Sequence, residues 1–166
     1  MAKRIWLIFV TFCVLGTMAQ AGTGRLRFVE TDVILYPNGQ ASVKYTVRYR
    51  VLSGDFHGFY FGGLDRLSAY FDPDTAYGID SGGKKYKLDI KNLGDKYDIV
   101  LANGQAVRSG EITYVFRFGA SMRDAGYLAH TRSAEGNDLI VFDWAPAEWD
   151  EPMDHTTVKI VYPWEY

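Results

Sequence analysis

Cysteine is nearly missing: one residue in 166, Cys13. It falls inside an N-terminal apolar stretch that reads as an export signal, so the remainder of the chain has no thiol. That excludes disulfides, cysteine nucleophiles and thiolate metal sites from the mature protein. Histidine is scarce as well. His57, His130 and His155 are the three imidazoles, and no two stand at H-x-H, H-E-x-x-H or H-x3–5-H spacing, so a zinc site lacks its ligand pattern. There is no G-x-S-x-G elbow, and nothing in the spacing points to a Ser-His-Asp triad. Also missing beyond Gly22 are an apolar run long enough to cross a bilayer and any window with a helical stripe free of glycine and proline. Cationic excess is absent too: 18 Lys and Arg stand against 20 Asp and Glu. General nucleic-acid binding needs a positive surface to displace counterions, so that class is excluded.

What the N-terminus does contain is a secretory signal in its usual order. Lys3 and Arg4 give the positive start, Ile5 to Met18 is uncharged and largely apolar, and Ala19-Gln20-Ala21 offers small residues before a cut at Gly22. The apolar run is short of the ~20 residues of a membrane span. Cys13 follows Thr11-Phe12, which does not suit a lipoprotein signal. The expected organisation is a signal peptide over residues 1–21 and one domain over 22–166, exported to the periplasm or the exterior. With 48% hydrophobic and 23% charged residues, the composition is that of a folded domain.

The dominant period is two. Ala41, Val43, Tyr45, Val47, Tyr49 and Val51 are apolar or aromatic, while Ser42, Lys44, Thr46, Arg48 and Arg50 between them are polar. This is a strand with one buried and one wet face. Leu26 to Tyr36 reads as its hairpin partner through Pro37-Asn38-Gly39-Gln40, because Asn-Gly supplies the positive φ of a tight turn. The apolar register of that first strand slips, which calls for a bulge near Val29–Glu30. Alternation recurs at Tyr86–Ile90, Tyr97–Leu101, Ile112–Phe118 and Val158–Tyr162, with shorter segments at Gly58–Gly63 and Leu67–Phe71. Leu139 to Trp144 is apolar almost throughout, as in a strand covered on both faces. Asp72–Lys84 and Ala120–Asn137 read as long loops. The expected fold is an all-β, immunoglobulin-like antiparallel sandwich of about eight or nine strands.

Three motifs compete with blander accounts. Gly78 to Lys84 has phosphate-loop spacing, but Lys85 stands where the motif needs Ser or Thr and a strand follows instead of a helix, so a turn is the better reading. Asp72, Asp74, Gly78 and Asp80 sketch a calcium loop, yet Ala76 and Gly83 occupy ligand positions. A solvated acidic turn is the default, and a looser surface calcium site is the alternative. The chemically densest segment runs from Asp143 to Asp154. Its carboxylates Glu148, Asp150 and Glu151 beside Trp144 and Trp149 could form a glycosidase pair or a sugar platform; against this, large aromatics are mostly core. The tentative ligand-binding residues are Trp149, Tyr127, Glu148 and Asp150. No catalytic residue, metal site or cofactor is expected.

That same segment carries a family resemblance. Phe142-Asp143-Trp144, then Glu148-Trp149-Asp150-Glu151-Pro152-Met153, then Val158 to Pro163 resembles the end of the N-terminal domain of a bacterial family named predicted membrane protein, whose N-terminal domain has no known function. Pro37-Asn38-Gly39, Phe56-His57-Gly58-Phe59-Tyr60 and Gly110 to Phe118 resemble its earlier features in order. Phe61-Gly62-Gly63 departs from it where the family usually shows an arginine. The family usually continues into transmembrane helices, so the resemblance implies either a secreted stand-alone version or a sequence ending at the domain edge. The expected function is an exported, non-enzymatic module with an interaction or structural role at the cell envelope. Its partner would be an envelope protein or polysaccharide, not nucleic acid, with membrane attachment only through an uncleaved signal or a continuation beyond Tyr166. The rivals are a carbohydrate-binding sandwich using Trp144, Trp149 or Tyr127, and a glycosidase-like enzyme using the carboxylates near Trp149.

Overall fold

The computed structural model describes residues 22–147 and 149–162. The expected signal peptide over 1–21, and Glu148, lie outside the described residues. Eleven strands follow in order: β1 (Thr23–Leu35), β2 (Gln40–Ser53), β3 (Gly58–Gly62), β4 (Tyr70–Phe71), β5 (Tyr77–Asp80), β6 (Lys85–Asn92), β7 (Lys96–Leu101), β8 (Gly110–Ser121), β9 (Leu128–Arg132), β10 (Asp138–Phe142) and β11 (His155–Val161). The described residues are all-β, with two short 3-10 turns at Pro73–Thr75 and Ala102–Gly104. The main sheet runs β11-β1-β2-β8-β5-β6-β7-β3, with β4 added beside β8; β9 and β10 form a separate two-stranded ribbon.

The alternation read in β2 holds at every position. Ala41 through Val51 are buried at the odd residues, and the even residues are partly or fully exposed. Its hairpin with β1 closes through Gly39 at φ +82° and a Gln40 N–H donated to Asn38 Oδ1 at 3.0 Å. The bulge lies earlier than expected, between Leu26 and Phe28. Arg27 is the inserted residue, which lets Leu26 and Val29 both face the core although they are three apart. Phe28 is left on the outer face, stacked on His155 and covered by the Arg48 guanidinium.

Other boundaries differ from the sequence reading. The expected loop Asp72–Lys84 contains β5, and its phosphate-loop spacing is the β5–β6 hairpin turn. Asp80 organises that turn by accepting from the N–H groups of Gly82 and Lys84 and from the Tyr86 hydroxyl. Asp72 likewise caps its own 3-10 turn. These carboxylates serve backbone turns, and no metal-holding cluster occurs among the described residues. The loop Ala120–Asn137 contains β9. The strand at Leu139 is not covered on both faces: β10 is half of a ribbon, with Leu139 and Val141 45% and 46% exposed. The pairing is not wholly antiparallel either, because β11 runs parallel to β1, held at its start by the Asp154 N–H on the Arg27 carbonyl.

The core is aromatic. Tyr45, Phe61, Tyr114, Phe116 and Phe118 are fully buried. Tyr45 stacks on Phe116 with ring centroids 5.5 Å apart and meets Phe61 edge-on at 4.8 Å. Phe59 meets Tyr114 at 5.2 Å. Since β3 is separated from β8 by β5, β6 and β7 along the sheet, these contacts require the sheet to curl until its β7–β3 end faces β2 and β8. Burying such rings stabilises the closure by roughly 1.5–3 kcal/mol each.

Candidate functional site

The curl leaves a cleft of about 1100 Å³ along β3. One wall is β3 itself with Lys96, Asp98 and Val100 of β7. The opposite wall is made by Pro146, Ala147, Trp149, Asp150 and Glu151 together with the start of β1. β10 has ended at Phe142, and Pro146 can give no ladder hydrogen bond. The next residue, Ala147, is buried and donates its N–H to the hydroxyl of buried Tyr45 at 3.1 Å. That bond fixes the segment to the core and turns Trp149 inward. Its ring lies 5.6 Å from Phe59 and 6.0 Å from Phe61.

Trp149 is therefore half-buried, and its indole nitrogen is buried without a hydrogen-bond partner among the described residues. The more open ring is Tyr60, 63% exposed, with the Lys96 ammonium 4.6 Å above its centre. Tyr49 lines the floor, and burial together with the neighbouring Glu151 carboxylate holds its phenol well above the usual range. The rim is acidic, carrying Asp95, Asp98, Asp150 and Glu151. Asp55 is taken up by Arg108, whose hydrogen bonds lower its pKa. His57 is committed as well, its Nδ1 lying 2.8 Å from the Gln105 carbonyl.

Of the residues singled out from sequence, Trp149 and Asp150 meet in this cleft, and Glu148 is outside the described residues. Tyr127 is elsewhere. It is half-buried under the Arg66 guanidinium at 4.7 Å and tied by its main chain to Met122 and Asp143. Trp144 follows the end of β10, half-buried and stacked on Phe142 at 6.1 Å. Sequence reasoning missed Tyr60, Asp95, Lys96 and Asp98, which reach the cleft only because β3 and β7 pair, Tyr60 opposite Asp98. The one local signal was Gly58-x-Tyr60-x-Gly62, a strand whose outer face is nearly bare.

The model of the predicted membrane protein (DUF2207) N-terminal domain matches residues 25–165. The chain belongs to this family. No curated protein matches the DUF2207 domain described here. Among solved structures, native yeast LTA4 hydrolase is similar at 12% identity and a TM-score of 0.50, over 84% of this chain and 23% of that one. An M1 zinc metallopeptidase from Deinococcus radiodurans, bound to a Tyr-Ser-Ala substrate, is similar at 12% identity and a TM-score of 0.41, over 59% and 20%. The chain thus spans less than a quarter of either protein, and the likeness to the first is one of fold alone. No helix among the described residues is long and apolar enough to cross a membrane.

Proposed function

We propose that this DUF2207 domain is a non-catalytic interaction module exported to the cell envelope, and that it holds its partner in the cleft beside Trp149. The observation that carries the reading is the cleft itself, an aromatic floor under an acidic rim. Convergent polar groups around apolar surface are what a binding site needs. The export reading draws on the order of charge, apolar run and small residues at the N-terminus, and on the family's description. A non-catalytic role is favoured because the cleft's one imidazole, His57, and its neighbour Asp55 are already engaged. His57 and Asp55 are bonded within the fold, and Asp154 is paired with Arg25 and Arg27. As to fold type, we infer that the two facing halves of the sheet act as the layers of a sandwich; the immunoglobulin-like arrangement rests on strand count and patterning alone.

A polysaccharide partner is the rival reading, since an aromatic ring can stack on a sugar. Trp149 offers little of its face for that, being packed on Phe59 and Phe61. A glycosidase-like reaction would draw on Asp150 and Glu151 across from Asp98. The test is a photo-activated cross-linker placed at Tyr60 in living cells, with one at exposed Lys87 on β6 as control. A discrete protein adduct at the first position and not the second is expected. Equal adducts at both, or retention on purified envelope polysaccharide in place of a protein adduct, would overturn the reading.

A further inference from the structure

We infer that the cleft takes its partner as an added strand, and that the occupant is an extended, lysine- or arginine-bearing peptide segment paired with the outer edge of β3. The inference deepens the interaction-module reading and rests on it. β3 ends the main sheet and is paired on one side, by β7, among the described residues. The direction of its remaining backbone groups follows from the ladder. Leu101 donates its N–H to the His57 carbonyl at 2.8 Å, so His57 and Leu101 are a hydrogen-bonded pair in the antiparallel register. Such pairs alternate with non-bonded ones. Phe59 and Phe61 therefore bond toward β7, and Gly58, Tyr60 and Gly62 turn their N–H and C=O groups outward to the cleft.

This edge lacks the usual guards. Exposed edge strands are commonly protected by lysine, proline or a bulge, whereas the three outward residues here are glycine, tyrosine and glycine. Gly62 leaves its face of the strand open, since a Cβ there would meet nothing nearer than the Asp95 carbonyl at 3.9 Å. The cleft lies along this edge and touches residues from both faces of the strand, Phe59 from the inner and Tyr60 from the outer. Charge selects the occupant. Asp95, Asp98, Asp150 and Glu151 line the cleft against a single lysine, Lys96, which lies over the Tyr60 ring and leaves the carboxylates in excess. Main-chain pairing would supply affinity, and the alternate side chains of the guest would find carboxylates on one face and the aromatic floor on the other.

The probe is a capped peptide of about six residues alternating lysine and valine, titrated into the purified full chain and followed by tryptophan fluorescence and calorimetry. Saturable binding that weakens as ionic strength rises is expected, and the glutamate–valine analogue should not bind. Two N-methylated versions, methylated on alternate amides in one phase or the other, give the decisive contrast. One phase should weaken binding by about tenfold or more, the loss of at least one hydrogen bond, while the other retains it. Tyr60→Pro removes an outward N–H that β7 does not use and should weaken binding similarly, with an unchanged circular dichroism spectrum. The N-methyl contrast needs no folded variant. Equal binding of both phases, or no binding of the lysine peptide, would sink strand addition; a cleft-specific adduct at Tyr60 in cells would still leave the module reading standing. A chain that dimerises through β3, dispersed by Tyr60→Pro, would assign the edge to a second copy and overturn the proposed occupant.

Discussion

Val47 is 0% exposed in the middle of β2, while Lys44 on the opposite face reaches Asp32 at 3.0 Å. Val47→Asp buries an unpaired charge and should destabilise the domain by roughly 3 kcal/mol or more. Lys44→Gln removes a half-exposed ion pair and should cost less than ~1 kcal/mol. Urea melts of both variants check this, and similar losses would mean that the faces of β2 are misassigned. The tyrosines give a pH dependence. Burial, aided at Tyr49 by Glu151 and at Tyr114 by Tyr49, holds both phenols well above their ordinary value of 10.0. The folded chain therefore keeps protons that the unfolded chain releases. Their contribution is fully present below about pH 10 and is lost as pH rises, by ~1.4 kcal/mol per pH unit for each phenol. Tyr49→Phe should make stability fall less steeply in melts taken at stepwise alkaline pH.

At the scale of the element, the β3–β7 pair depends on glycine for a reason distinct from turn geometry. A Cβ at Gly58 would run into the Ile99 carbonyl and come within 2.7 Å of Val100 Cα. Both are backbone atoms of a paired strand and cannot swing aside. Gly58→Ala should then cost about 2 kcal/mol or more, measured as a lower denaturation midpoint. The β9–β10 ribbon behaves oppositely. Read from composition, Leu139 to Trp144 looks like an interior strand, and a polar substitution there would be costly. With Val141 46% exposed, Val141→Thr should stay within ~0.5 kcal/mol of the parent. Composition was a poor guide here because a run of apolar residues records how much could be buried, not whether a second layer arrives to cover it. Only the Ile140 and Phe142 side is partly sheltered.

At the scale of the molecule, Trp149 joins the far end of the chain to the far end of the sheet. Its packing on Phe59 and Phe61 and the Ala147–Tyr45 hydrogen bond together hold Ala147 and Trp149 over the curl. Trp149→Ala should therefore destabilise the whole domain by ~3 kcal/mol as a large truncation. Acrylamide quenching of Trp149 fluorescence in a chain with the other tryptophans replaced by phenylalanine should show a partly shielded ring. A loss below ~1 kcal/mol with free quenching would mean that the segment does not close the cleft.

Much of the architecture was legible in the sequence because strand patterning is local. A period of two assigns β2, β6, β7 and β8 their inner faces whatever lies across from them, and Asn38-Gly39 and Asn103-Gly104 mark turns through backbone sterics alone. The all-β class followed from such features, and the family from a resemblance carried by short motifs in order, Phe142-Asp143-Trp144 among them. Of the site, Trp149 and Asp150 were legible as a dense aromatic and acidic segment. What sequence could not supply was the partner wall. Tyr60, Lys96 and Asp98 stand far from Trp149 along the chain, and no local propensity encodes the curl that brings β3 back onto β2 and β8. The parallel pairing of β11, the single curled sheet and the unguarded β3 edge are likewise decided by which surfaces meet. Sequence set the faces of the strands; the packing of aromatic rings across the closed sheet decided where a ligand could lie.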